Sequence, residues 1–251
     1  MRTFPIGGIH PHDNKEWSKD KGIEVLELPN EVMIPMIQHI GAPATPIVQK
    51  GDKVLTGQLI GQITGFVSAN IHSPISGTVT SIDAYPNGQG QRRIMIVIKR
   101  EGDEWVDTID RSTELKRECT LKPAEIIEKI KQAGVVGLGG AQFPTHVKLT
   151  IPDGQKAEVL IINGVECEPY LTSDYRNMLE RGEMLLTGVE ILMRAIGVER
   201  AVIGVENNKP DAIAHLNTII ARDNYRGIEV MPLKLRYPQG GEKQLIAAVT
   251  G

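Results

Sequence analysis

Val159-Leu160-Ile161-Ile162-Asn163-Gly164-Val165-Glu166 sets an unbroken apolar run against an abrupt polar break. The texture returns at Ala201–Val205, followed by Glu206-Asn207-Asn208, and again at Ile228–Leu235. Short apolar runs rich in β-branched residues read as strands buried on both faces, as in parallel sheets. Helical patterns lie between them. Asp174–Ile196 reads as one long helix, with Met178, Leu185, Val189, Leu192 and Ile196 on a stripe and Gly197 at its stop. Pro210–Arg222 reads as a second, with Ile213, Leu216 and Ile220 inward, and Glu242–Val249 begins another. Ala124–Ala133 follows Pro123 at a first-turn position and stops at Gly134. Strands alternating with helices need crossovers, so a mostly parallel αβα sheet is expected. In such sheets ligands sit beyond the carboxyl ends of the strands, where the two polar clusters fall.

Upstream the texture differs. From Phe4 to about Gly102, short apolar runs such as Val54–Leu55, Leu59–Ile63 and Ile94–Ile98 are separated by turn signals, among them Lys50-Gly51-Asp52 and Pro86-Asn87-Gly88. That pattern predicts compact all-β structure. Glu101–Leu121 is charged and poorly periodic, which suits a linker or surface excursion. The division expected is therefore 1–102 all-β, 103–122 linker and 123–251 α/β. With 251 residues, 41% apolar and 24% charged, the chain is a globular sequence rather than a disordered or collagen-like one. A formal net charge of −3 without a basic run argues against nucleic acid as a partner. Two cysteines exclude a disulfide-stapled secreted scaffold and favour a reducing compartment. The start has no signal-peptide pattern, and no apolar run is long enough to cross a bilayer.

The loudest local feature is Gly137-Leu138-Gly139-Gly140-Ala141-Gln142-Phe143-Pro144. It fails as a dinucleotide fingerprint, because Gln142 takes the third glycine position and a helix precedes it, and it lacks the G-K-[ST] of a P-loop. Glycines at this density leave backbone N–H groups free to meet a flat or anionic ligand. Pro144 opens a helix whose start favours an anion, with Lys148 one turn in. An ordinary connector fits the same residues. In Asn163-Gly164-Val165-Glu166-Cys167-Glu168-Pro169-Tyr170, alternation points Glu166 and Glu168 the same way if the segment is extended. Two converging carboxylates would suit ribose hydroxyls or tune a redox cofactor, and a solvated loop with a helix cap at Ser173 is the plainer alternative. Adjacent acids with no nearby His argue against a metal, and Cys167 reads as a small buried hydrophobe. His10 and His12, flanking Pro11, read as turn residues.

At these residues a family resemblance enters. Gly134–Lys148 resembles the flavin loop of the NADH-oxidising, FMN-binding subunit of respiratory complex I; Asn163–Pro169 resembles its second motif and Gly240-Gly241-Glu242 its third. Phe4-Pro5-Ile6-Gly7-Gly8-Ile9-His10-Pro11, Gln38-His39-Ile40-Gly41-Ala42-Pro43 and Gly65-Phe66-Val67-Ser68-Ala69 resemble the C subunits of Rnf electron-transport complexes, and this likeness covers essentially the whole chain. Val48–Val54 and Ser73–Val79 resemble the half-motifs of a barrel-sandwich hybrid, the fold of lipoyl and biotinyl carriers, yet Thr64–Ile71 holds no Lys to modify. A docking or scaffold role therefore replaces a swinging arm. Val165 replaces an acid of the second complex I motif, Gly241 replaces the first acid of the third, and Gln142 replaces a glycine, so contacts need not match complex I in detail.

The resemblance implies a barrel-sandwich domain followed by a flavin domain, with NAD(H) exchanging a hydride with FMN and electrons passing singly to iron–sulfur clusters. It implies FMN held by Gly137, Gly139, Gly140, Lys148, Asn163 and Gly240, with Glu166 and Glu242 near the flavin ring. Phe143 would stack on NAD(H) and Glu168 would hydrogen-bond it. No catalytic nucleophile or general base is implied. Two 4Fe-4S clusters are expected in the full-length subunit only, since Cys119 and Cys167 are too few for a cubane. The 251 residues read as the N-terminal part of such a subunit, expected to bind FMN weakly and to be inactive alone. Expected partners are the other subunits of a membrane complex and a ferredoxin-linked electron chain, at the cytoplasmic face of the cell membrane. A related flavoprotein reductase, such as a microcompartment cobalamin reductase, and a non-catalytic scaffold are the alternatives.

Overall fold

The computed structural model describes residues 1–5 and 7–251, so Ile6 of the opening motif lies outside the described residues. Two compact units emerge, one of residues 26–114 and 121–152, the other of 1–25, 115–120 and 153–251.

The first unit is built on seven short strands: β1 (Glu31–Pro35), β2 (Thr45–Pro46), β3 (Lys53–Val54), β4 (Leu59–Gln62), β5 (Ile71–His72), β6 (Gly77–Pro86) and β7 (Arg92–Arg100). They form two antiparallel sheets, β1-β7-β6-β3 and β2-β4-β5. Met36, Ile60, Val79, Ile96 and Ile98 fill the core, each no more than 1% exposed. Ile96 and Ile98 stand two apart on β7, the spacing that puts both on one face. Residues 121–152, of which 123–152 are assigned by sequence to the α/β part, group with this unit. They comprise α1 (Pro123–Gln132), the glycine loop and the five-residue α2 (Thr145–Leu149). Pro123 starts α1, and Glu125 reaches back to accept the Lys122 N–H at 2.7 Å. Gly134, at φ 67°, ends it: Gly134 N–H donates to Lys131 O and Val135 N–H to Ile130 O, the paired bonds of a Schellman stop.

The second unit holds the parallel sheet. Strands β8 (Leu160–Asn163), β9 (Ala201–Glu206) and β10 (Ile228–Leu233) lie in the order β10-β9-β8, with Ala201 level with Leu160 on one side and Ile228 on the other. The adjacent parallel pairing of the two apolar runs is as the sequence predicts. Central β9 is buried throughout. Ile203 packs into a core with Met178, Leu186, Val189 and Leu216, from α3 (Ser173–Glu180), α4 (Gly182–Ile196) and α5 (Pro210–Arg222). Its neighbour Val202 faces the opposite core, with Leu233 and the α6 (Glu242–Thr250) residues Leu245 and Ala248. Both faces of the sheet are thus covered, which explains the unbroken apolar runs.

The single long helix expected over Asp174–Ile196 is two helices. Arg181 (φ −132°, ψ 30°) separates α3 from α4. Gly182 then lets α4 approach α5 closely: a Cβ there would lie 2.7 Å from Ile219 Cδ1. On α4 the large apolar residues that are buried are Leu186, Val189 and Met193, with the expected Leu185 and Ile196 half-buried against the same core. β10 ends at Leu233 rather than Leu235, and Lys234 N–H turns to Arg2 O. Part of the supposed linker is anchored: Arg117 pairs with the Glu190 carboxylate through two hydrogen bonds of 2.9 and 3.0 Å and stacks 3.7 Å over the Tyr225 ring.

Candidate functional site

In the barrel unit the glycine loop is pinched at its neck and open at its tip. Gly137 N–H donates to Phe143 O at 3.0 Å, and Thr145 N–H to Val135 O at 3.0 Å. Gly139 (φ 123°) and Gly140 (φ 54°) make the turn, and a Cβ at either would meet nothing within 4 Å. Gln142 is also left-handed at φ 52°, so the position that holds glycine in the complex I motif keeps a glycine-like backbone here. Among the described residues, the N–H groups of Gly139, Gly140 and Ala141 take no partner. Lys148 projects from α2 back onto the loop, its Nζ lying 2.7 Å from where a Gly137 Cβ would stand. Free N–H donors, open space and one ammonium are groups of the kind that suit a phosphate or other anion. Phe143 is half-buried beside them.

In the sheet unit, Asn163 closes β8. Its Nδ2 donates to Gly240 O at 2.8 Å, while Gly240 N–H donates to Cys167 Sγ at 3.3 Å. The second and third sequence motifs are therefore in direct contact. Burial pushes the Cys167 thiol up, so it stays protonated at neutral pH, consistent with its reading as a small hydrophobe. Gly241 is the N-cap residue of α6 and Glu242 its first helical residue, exposed at the positive end of the helix dipole.

Glu166 and Glu168 do not point the same way. Glu166 sits at φ 51°, which breaks the alternation an extended chain would give. Its Oε1 accepts the N–H groups of Asp174 (2.6 Å) and Tyr175 (3.3 Å), so Glu166, rather than Ser173, caps α3. Glu168 stays exposed, and its charge is the main cause that pushes the Tyr237 hydroxyl up from its ordinary pKa. No sequence pattern marks Tyr237.

Nor does any mark Lys15, Glu206 and Lys209 as a set, which build a buried charge cluster beyond β8 and β9. Lys15 Nζ donates to the carbonyls of Glu166, Glu168 and Leu171 at 2.5–3.0 Å. Lys209 Nζ donates to Val165 O at 2.9 Å and stands 3.9 Å from Glu206 Oε2. Glu206 Oε1 accepts Arg236 N–H at 3.0 Å. Burial pushes the Glu166 and Glu206 carboxyls up and the Lys209 ammonium down, with their mutual attraction opposing it. A cleft of about 450 Å³ opens here, lined by Lys15, Glu166, Thr172, Tyr175, Lys209 and Asp211 among others. Lys15 lies in a stretch without periodicity, so nothing local signals its burial. Glu206 begins a polar cluster visible in sequence, but its pairing with Lys209 depends on burial.

The sequence-predicted residues thus divide. Gly137, Gly139, Gly140, Phe143 and Lys148 belong to the barrel unit; Asn163, Glu166, Glu168, Gly240 and Glu242 belong to the sheet unit. Two family models match the chain: the RnfC barrel sandwich hybrid domain over residues 3–103 and the Nuo51 FMN-binding domain over residues 130–251. The C subunit of the proton-translocating ferredoxin:NAD(+) oxidoreductase complex of Clostridium ljungdahlii is 46% identical over 98% of this chain and 52% of its own length. Its Na(+)-translocating counterpart in Acetobacterium woodii is 47% identical over 98% of this chain and 54% of its own length. The C subunit of the ion-translocating oxidoreductase complex of Rhodobacter capsulatus is 41% identical over 100% of this chain and 48% of its own length. The chain spans about half the length of these curated relatives. With an RnfC barrel domain joined to a Nuo51-type FMN-binding domain, and this identity along its whole length, the chain belongs to the RnfC family of oxidoreductase-complex subunits.

Proposed function

We propose that this chain binds FMN and NAD(H) and supports hydride exchange between them within a membrane-associated, ion-translocating electron-transport complex. The observation that carries this reading is the glycine loop. Its unpaired N–H groups, uncrowded glycines and overlying Lys148 ammonium suit a phosphate-bearing cofactor, and the FMN-binding family model spans it. When bound, FMN accepts a hydride from the nicotinamide and releases electrons one at a time. The chain's part is to bind and orient. Gly139, Gly140 and Lys148 hold the anionic end, while Gly137, whose N–H is given to Phe143 O, closes the neck of the loop. Asn163 and Gly240, locked to each other, present a fixed polar edge. Glu242 adds negative charge at the start of α6, and Glu166 fixes the loop that carries Glu168. Phe143 in the one unit and the exposed Glu168 in the other are each assigned to NAD(H) by the family resemblance.

In function the chain divides as 1–102, 103–122 and 123–251, with the barrel as scaffold. The 4Fe-4S clusters belong to the full-length subunit. The partners are the other complex subunits and, as the names of the relatives state for them, ferredoxin. Among the described residues no helix is long and apolar enough to cross a membrane, which fits a peripheral subunit held at the inner face by those partners. Titration of the full-length subunit with FMN tests the reading. Saturable binding is expected, weakened about 10–150-fold by Lys148→Ala, the range for losing a charged hydrogen bond. Absence of binding, or affinity indifferent to Lys148, would overturn it.

A further inference from the structure

Two stretches singled out in the sequence, Gln38–Pro43 and Gly65–Ala69, have no part in the function proposed above, yet they carry a connected set of hydrogen bonds. His39 is buried, 6% exposed. Ala69 N–H donates to its Nε2 at 3.1 Å, so the ring is neutral with its proton on Nδ1, and Nδ1–H donates to Ile40 O at 3.1 Å. Ile40 N–H in turn donates to Ala141 O, at the tip of the glycine loop, at 3.1 Å. Gly41 packs so tightly that a Cβ there would fall 2.2 Å from Val67 O, and Ala42 N–H donates to the same oxygen at 2.9 Å.

The loop entry is gripped too. Asn70 Oδ1 accepts Ile63 N–H at 2.9 Å, while Nδ2 donates to Gln132 O at 3.3 Å and Lys131 O at 3.5 Å, the carbonyls that end α1. At Gly134, the next turn of chain, a Cβ would lie 2.1 Å from Asn70 O. The glycine loop is therefore held at its entry by Asn70 and at its tip by Ile40, with His39 behind it. The β4–β5 hairpin that carries Asn70 has no Lys between Thr64 and Ile71 and presents an exposed Phe66 instead.

We propose that His39 and Asn70 are positioning residues for the glycine loop, and that the β4–β5 hairpin and the Gln38–Pro43 segment together act as a clamp that pre-orders the loop's free N–H groups. A glycine-rich loop is costly to order, so a clamp that orders it beforehand removes that cost from ligand binding. The ordering itself is independent of the ligand; its consequence for affinity rests on the FMN reading.

Hydrogen exchange on the flavin-free, full-length subunit provides the test, with FMN titration in parallel. Asn70→Asp keeps the size and the acceptor for Ile63 N–H but loses both donors to α1. Exchange over residues 134–144 should quicken about fivefold, the scale of one net hydrogen bond, while β6 and β7 keep wild-type rates. His39→Ala should do the same at the Ile40 N–H that donates to Ala141 O, and His39→Gln, which restores an acceptor for Ala69 N–H, should recover part of the loss. Unchanged exchange over 134–144 in Asn70→Asp overturns the inference. Exchange raised equally throughout the barrel also overturns it, since the residues would then merely hold the barrel together. If the loop loosens as expected but wild-type subunit binds no FMN, the clamp stands and the cofactor reading falls.

Discussion

Glu206 is fully buried at the end of the central strand, and its second carboxylate oxygen has no hydrogen-bond partner among the described residues. Burial raises its folded-state pKa above the ordinary 4.5, despite Arg236 N–H and Lys209. A raised carboxyl binds its proton more tightly when folded, so stability falls as pH rises from the ordinary value towards the raised one. Glu206→Gln removes that titration and keeps the Oε1 acceptor. Relative to this variant, wild type should lose stability as pH climbs through the window just above 4.5, measured by urea unfolding at stepped pH. A flat difference would mean that Lys209 fully compensates the charge. Glu168 is a contrasting case, an exposed carboxylate whose charge reaches the nearby Tyr237 hydroxyl. Glu168→Ala should weaken NADH use about 10–150-fold while FMN affinity changes little. Loss of FMN with unchanged NADH affinity would instead give Glu168 a flavin role.

At the scale of elements, the join between β8 and the start of α6 rests on one amide. Asn163 Nδ2 bonds Gly240 O, and its Oδ1 accepts Val165 N–H at 3.3 Å. Asn163→Ala should cost about 1–2 kcal/mol, two modest hydrogen bonds, and loosen residues 238–243. Thermal unfolding and local hydrogen exchange would show it, and unchanged exchange at 238–243 would place the restraint elsewhere. Strands β8 and β9, helix α5 and the start of α6 were legible in sequence, because their patterns are local. Apolar runs mark buried strands, Pro123 and Pro210 sit at helix starts, and Gly134 and Gly197 at helix ends. The break at Arg181 was not legible, since no proline marks it and its cause is the close approach of Gly182 to α5. The Glu166 cap escaped for a similar reason: the donors lie eight and nine residues downstream, and a left-handed residue turns the carboxylate towards them. The candidate site was legible as three motifs, but the way those motifs divide between units was not.

Across the whole chain, that division has a consequence for stability. The glycine loop belongs with the barrel, whose core is centred on Ile60, Ile96 and Ile98, whereas the parallel sheet has its own cores around Leu216 and Leu245. Large-to-small changes in either core cost about 2–5 kcal/mol, because atoms leave an apolar environment and a cavity remains. Most of that cost should appear as easier opening of the unit that carries the change. Ile60→Ala should therefore raise exchange in β6, β7 and residues 134–149 together. Leu216→Ala should raise it in β9, α4 and α5 while leaving 134–149 near wild-type rates. Hydrogen exchange resolved by peptide reads both variants in one experiment. If residues 134–149 instead follow Leu216→Ala, the loop draws its stability from the sheet, and its grouping with the barrel has no energetic meaning. If they follow Ile60→Ala, the scaffold role of the barrel acquires a measurable content. The barrel then sets how ordered the cofactor loop is, and substitutions far from any ligand, such as those at Ile96 or Ile98, should lower FMN affinity by loosening it.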